Sequence, residues 1–149
     1  MDEYTIVVDT REQLPLWTKK IERKKLDIGD YSIKGYENQI AIERKSLGDL
    51  FGTLSGGHKR FKKELMKSLG LEYFAIVIDG TYTQIQKKDF KGSYFSRMKG
   101  YVILKILFTL HVKYRINVFF ASNRCESKRI IKSLFNSYIN NKKKVKTSN

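Results

Sequence analysis

The sequence predicts a mixed α/β fold, a central sheet flanked by helices, on three observations. Short apolar runs rich in β-formers, Tyr4–Val8, Tyr73–Ile78 and Asn117–Ala121, read as buried strands. Amphipathic stretches separate them, with apolar residues recurring at helical spacing, as in Phe61, Leu65 and Leu69. Before the first of these, Gln39–Ile42 alternates in strand fashion after a turn-prone Lys34–Asn38. Strands interleaved with helices place helices on both sides of the sheet.

In chain order, Tyr4–Val8 ends at Asp9-Thr10-Arg11-Glu12, and Pro15 stops any continuation. Asp9 therefore stands at the C-terminal end of a core strand, the edge where open α/β sheets gather their sites. A turn-capping Asp would occupy the same place. Trp17–Leu26 is basic and polar, a surface connector, and its Glu22-Arg23-Lys24 reads as a solvated charge run. Ile28–Ile33 leads into a hairpin whose second arm ends in Glu43-Arg44-Lys45. Ser46 is placed to cap a helix from Leu47, with Asp49 in its first turn, where a negative charge suits the helix dipole. Leu54-Ser55-Gly56-Gly57 breaks that helix and His58–Leu69 resumes one. Thr81–Gly92 reads as a polar loop. Arg97–Tyr114 is a helix apolar on most of its surface, which calls for cover on more than one side. Asn123–Asn141 is the last helix. Residues 1–141 thus form one domain, and residues 142–149 a basic, unstructured tail.

Composition narrows the function. A chain of 149 residues with 41% hydrophobic and 13% aromatic residues builds a core and is not a disordered segment. Lys and Arg number 30 against 15 acidic residues, a net charge of +15, which points to a polyanionic partner, with nucleic acid first. The acidic start Met1-Asp2-Glu3 resembles no targeting signal, and the most apolar stretch, Gly100–Val112, contains Lys105 and is too short to span a bilayer. The lone Cys125 supports neither a disulfide framework nor a cysteine zinc site. A soluble, intracellular protein with no membrane partner is expected.

Residues two apart on a strand share a face, so Glu43 and Lys45 point together and Arg44 points opposite. The hairpin brings Asp30 beside Glu43. Two carboxylates and an ammonium at a sheet edge can bind a divalent metal and position a water against a phosphate. Magnesium needs only one or two protein carboxylates and keeps several waters. Asp9 and Glu12 add acids from the neighbouring strand end, and Arg11 suits an ion pair or a phosphate contact. A Glu-x-Lys alone is common and forms a solvated pair worth about 0–1 kcal/mol. On a chain this basic, His58, Lys59, Arg60, Lys62 and Lys63 are candidate phosphate contacts.

Taken together, Asp9-Thr10-Arg11-Glu12, Gly29-Asp30 and Glu43-Arg44-Lys45 with Asp49 resemble the nuclease domain of the XPF family of structure-specific endonucleases. That family's signature is Gly-Asp, a variable gap, Glu-Arg-Lys, and an Asp four residues past the Lys. Its first strand carries Asp-x-Arg-Glu. The resemblance implies a restriction-endonuclease-like, PD-(D/E)XK fold and Mg²⁺- or Mn²⁺-dependent cutting of branched DNA: flaps, forks and splayed arms. It implies that Asp30, Glu43 and Asp9 hold metal, that Lys45 is catalytic, and that Arg11, Glu12, Arg44 and Asp49 complete the site. The chain departs from the family at Gly57-His58-Lys59-Arg60, where many members read Gly-Arg, and at Asp79, where Glu is commoner.

Family members usually append a helix-hairpin-helix domain that grips DNA, whereas only a lysine tail follows Asn141 here. The chain is similar in this to the stand-alone nuclease domains of phages and mobile elements. Grip is then expected from the basic surface, from a homodimer, or from a protein partner. Other readings stay open: a non-catalytic DNA-binding or regulatory module, or a nuclease acting on four-way junctions or plain duplex.

Overall fold

The computed structural model of the protein describes residues 3–56 and 58–148. The expected break at Gly57 lies outside them. β1 (Ile6–Val8), three β-branched residues in a row, is buried throughout. It pairs on one side in parallel with β2 (Ile21–Arg23) and on the other antiparallel with β3 (Tyr31–Ile33). β3 turns into the antiparallel β4 (Ile40–Ser46), with Tyr31 opposite Ile42. β5 (Tyr73–Asp79) and β6 (Asn117–Ala121) continue in parallel beyond β4. The six-stranded order is β2-β1-β3-β4-β5-β6. All strands except β3 run the same way, so β1, β4 and β5 end at the edge where β3 begins.

The period of two along β4 and β5 divides the core. Ala41, Phe74, Ile76 and Ile78 pack under four helices: α1 (Leu47–Ser55), α2 (His58–Ser68), α3 (Tyr82–Lys87) and α4 (Gly100–Tyr114). Ile40, Ile42, Ala75 and Val77 face the opposite layer, where α5 (Arg124–Ser148) lays Ile131, Phe135 and Ile139 against the sheet. The expected mixed sheet with helices on both faces is the architecture found.

Four expectations change. The connector at Trp17–Leu26 contains β2, an edge strand that needs only one ladder. Its Arg23 donates to the carbonyls of Thr10 and Glu12, at 3.1 and 3.0 Å, rather than only to solvent. The polar loop at Thr81–Gly92 contains α3, started by a capping box in which Thr81 and Gln84 exchange hydrogen bonds. α4 begins at Gly100, not Arg97. A Cβ at Gly100 would lie 1.9 Å from the carbonyl oxygen of Ile85, so only glycine lets α4 start against α3. The basic tail is helical: α5 runs on to Ser148, carrying Lys142–Lys146 as its last turns.

α4 buries Ile103, Leu104, Leu107 and Leu110 and leaves Tyr101, Phe108 and Val112 exposed on its outer side. Among the described residues no helix is long and apolar enough to cross a membrane.

Candidate active site

Asp30 is placed by a turn that only glycine makes easily. Gly29 has φ +78°, and a Cβ there would meet the Ile42 carbonyl oxygen at 2.9 Å. The tight approach lets Asp30 N donate to Ile42 O and Asp9 N donate to Asp30 O, both at 2.8 Å. The Asp30 carboxylate then accepts the backbone N–H of Arg44 at 2.8 Å through Oδ2. Asp30 is thereby fixed across from the end of β4.

Glu43 and Lys45 extend the row begun by Ala41, on the four-helix face. Glu43 is buried, at 6% exposure. Lys45 Nζ lies 3.4 Å from its Oε1 and sits over the Phe61 ring of α2, 5.4 Å from the centroid. Burial first, then the charges of Asp30 and Glu64, push the Glu43 carboxyl well above the ordinary range, against the pull of Lys45. Burial also pushes Asp30 up to about 7, opposed by the Arg44 N–H and Lys45 and reinforced by Glu12 and Glu64. Two adjacent acids that resist ionising together are the electrostatic state a divalent cation relieves.

Arg44 extends the other row, as the strand period requires, into the α5 layer. It forks onto Asp79 at the end of β5, with Nη2 2.6 Å and Nε 3.0 Å from Oδ2. Asp79 also accepts a short bond from Ser127 of α5. Arg44 Nη1 reaches the carbonyl of Leu14 at 3.2 Å. The Arg44 side chain, expected to complete the catalytic site, ties together β4, β5 and the segment after β1.

Asp9, an expected metal ligand, is held by a comparable set of bonds. Its side chain is buried, and both oxygens are taken: Oδ2 by Arg11 Nε at 2.9 Å, Oδ1 by Leu26 N at 2.8 Å and by Arg11 Nη2 at 3.3 Å. Burial raises its pKa, but these bonds outweigh that and hold it below the usual value. Arg11 also donates to Leu26 O at 2.8 Å. It thus fastens the segment before Gly29, within the charge field of Asp30 and Glu64.

Glu12 is half-buried and acts on Asp30 through its charge. Ser46 caps α1, its Oγ accepting the N–H of Asp49 at 3.2 Å, and Asp49 in the first turn lines with Arg11, Glu12, Leu14 and Arg44 a cavity of about 360 Å³. His58, Lys59, Arg60, Lys62 and Lys63 are exposed on α2 around the buried Phe61 that touches Lys45. Glu64, absent from the sequence-based candidates, is the only acid in His58–Leu69. It lies one helical turn from Phe61, and its charge acts on Asp30, Glu43 and Arg11. That isolation in a basic helix was the available signal.

The donor set suits a hard cation. Asp30 and Glu43 offer carboxylate oxygen, the donor type that magnesium and manganese prefer. Among the described residues no group of three His, Cys, Asp or Glu side chains is gathered as a metal cage. Two carboxylates with remaining positions open to water and phosphate are what magnesium accepts.

The model of the ERCC4 domain family matches residues 8–134. Among solved structures, XPF from Aeropyrum pernix superposes with a TM-score of 0.70 at 18% identity, covering 96% of this chain and 69% of that one. XPF from Aeropyrum pernix in complex with DNA superposes with a TM-score of 0.66 at 20% identity, covering 89% of this chain and 63% of that one. No curated protein matches. The superpositions establish the restriction-endonuclease-like fold.

Proposed function

Because the chain belongs to the ERCC4 domain family, we propose that it is a DNA endonuclease that hydrolyses phosphodiesters with Mg²⁺ or Mn²⁺. Its substrates are branched or structured DNA: flaps, forks and splayed arms. The observation that carries this reading is the convergence of Asp30 and Glu43 at one sheet edge, with Lys45 Nζ 3.4 Å from Glu43.

Asp30 and Glu43 would hold the cation, which when bound supplies positive charge at the scissile phosphate and an acidified water. The chain's own groups do the rest. The Arg44 N–H fixes the orientation of the Asp30 carboxylate. Lys45, kept near Glu43 and against Phe61, presents its ammonium to the attacking water or to a phosphate oxygen, where charge grows in the transition state. Asp9 and Arg11 position the loop ahead of Gly29-Asp30. Glu12, Glu64 and Asp49 shape the field around the metal and the phosphate. His58, Lys59, Arg60, Lys62 and Lys63 take the flanking backbone phosphates. The exposed Tyr101, Phe108 and Val112 of α4 support a homodimer or a protein partner as a further source of grip.

The test is cleavage of labelled splayed-arm, flap, four-way-junction and linear duplex DNA in Mg²⁺, in Mn²⁺ and in EDTA, beside Glu43→Gln. Cutting near a branch that needs metal and disappears in Glu43→Gln is expected. Binding without cutting on every substrate would turn the reading to a DNA-binding module. Equal cutting of junction or duplex would remove the flap and fork preference.

A further inference from the structure

A cavity of about 530 Å³ opens between the N-terminal half of α5 and the β1–β2 edge, on the sheet face away from Glu43 and Lys45. Its size falls within the roughly 300–1,000 Å³ of ordinary ligand sites. Lys19, Lys20, Lys128, Arg129 and Lys132 line it, and among the described residues no acidic side chain does. Its apolar wall is formed by the rings of Tyr4 and Trp17 with Ile6 and Ile21.

The cations are held against those rings. Lys128 Nζ lies 5.6 Å from the Trp17 ring centroid, and Lys132 Nζ 4.7 Å from that of Tyr4. Trp17 in turn rests edge-on against the buried Tyr31, 5.4 Å between centroids, so its plane is fixed by the core. Ordered aromatic faces beside ordered cations in a concave wall are what unpaired nucleic acid uses: bases stack on rings while phosphates track the charges. A duplex keeps its base faces inside the stack and offers this wall only phosphates.

The cavity also connects to the candidate active edge. Leu14 O accepts from Arg44 Nη1 at 3.2 Å and from Arg124 Nη1 at 2.9 Å, and Pro15 O from Arg124 Nη2 at 2.7 Å. The short segment Leu14–Trp17 therefore runs from the edge to the cavity mouth under cationic cover.

We propose that this cavity binds an unpaired DNA strand, with bases against Trp17 and Tyr4 and phosphates on the surrounding lysines and Arg129. The identity of the ligand rests on the nuclease reading above; the site itself does not.

Trp17 is the only tryptophan in the chain, so its emission reports on this cavity alone. The protein in EDTA is titrated with labelled oligo-dT and with a blunt hairpin duplex, following Trp17 emission and oligonucleotide anisotropy together. Oligo-dT is expected to quench the emission saturably, and the duplex to bind without quenching. Lys128→Ala/Lys132→Ala should weaken oligo-dT binding at least tenfold. It should also flatten the salt dependence by about 1.4 in log–log slope, two phosphates at roughly 0.7 each. Arg129→Ala, on the same helix, should weaken it independently. Anisotropy rising with no change in emission, unchanged affinity in both variants, or no binding of oligo-dT would each overturn the site. Loss of metal-dependent cutting with quenching retained would instead strike the nuclease reading and leave the cavity standing.

Discussion

The backbone N–H of Arg44 donates to Oδ2 of Asp30 at 2.8 Å, and this bond joins the two halves of the candidate site. Asp30 comes from the start of β3, whereas Glu43 and Lys45 flank Arg44 on β4. One amide thus sets the carboxylate of one strand against the acid and ammonium of the next. Because the donor is backbone, side-chain changes at Arg44 leave it in place, while truncation of Asp30 to alanine removes the acceptor.

Asp30→Asn, Glu43→Gln and Lys45→Ala should each lower the cleavage rate by about 10²–10⁴-fold, the range for losing a positioned catalytic group. DNA binding in EDTA, read by anisotropy, should change little, since the basic surface remains. Loss of binding in step with cutting would show that these residues grip DNA rather than act on it.

Gly29→Ala should destabilise the fold by about 1–3 kcal/mol, because φ +78° strains any side chain and the new Cβ meets Ile42 O at 2.9 Å. Relief of that clash moves Asp30 away from the Arg44 N–H. Chemical denaturation should therefore show the loss of stability, and cleavage should fall even where the variant is folded.

The pH dependence of stability has a definite sign. Asp30 is pushed up to about 7 and Glu43 rises too, both chiefly by burial, so the folded state keeps protons that the unfolded chain releases near pH 4. Their contribution is full below pH 4 and is lost as pH rises through 7, on the order of a few kcal/mol. In EDTA, the Tm should fall across this window, and Mg²⁺ should restore it by favouring the ionised pair. Glu43→Gln should flatten the profile. Asp9, held low despite burial by Arg11 and Leu26, contributes with the opposite sign and loses its part only under acid.

Arg44 and Asp79 form a largely buried pair, each side chain 13% exposed. Removing one partner strands the other, at a cost of about 3–5 kcal/mol. Asp79→Asn should thus lower the denaturation midpoint strongly. The double change Arg44→Met/Asp79→Leu should cost less than Asp79→Asn alone, a non-additivity that denaturation curves can read.

Where an element carried its own period, the sequence was legible. The apolar runs of β1, β5 and β6 and the alternation of β4 announce themselves, and the opposite facing of Arg44 follows from that alternation. β2 escaped because an edge strand with one ladder needs no apolar run. α3 escaped because six residues burying only Ile85 have too little period to show. Residue types at the site were legible too, but their partners were not. Asp79 meets Arg44 across 35 positions, a pairing that exists only once β4 and β5 lie in register. The bond from Leu26 N–H to Asp9 likewise spans 17 positions and exists only in the folded chain.

Glu64 is the sharpest case of a group whose partners are visible only in three dimensions. Among thickly basic neighbours on α2, it lies a turn beyond Phe61, the ring under Lys45, and its charge raises both Asp30 and Glu43. A helix built only to meet phosphates would gain by a lysine there. An acid that opposes ionisation of two buried carboxylates is useful when a cation is to be attracted to them. Glu64→Gln should therefore weaken Mg²⁺ binding several-fold by calorimetry and shrink the Tm gain from Mg²⁺. In EDTA the same variant should be more stable near pH 7 than the parent, because one repulsive charge is gone. Unchanged metal affinity together with unchanged stability would mean that Glu64 is a solvent-facing residue with no part in the site.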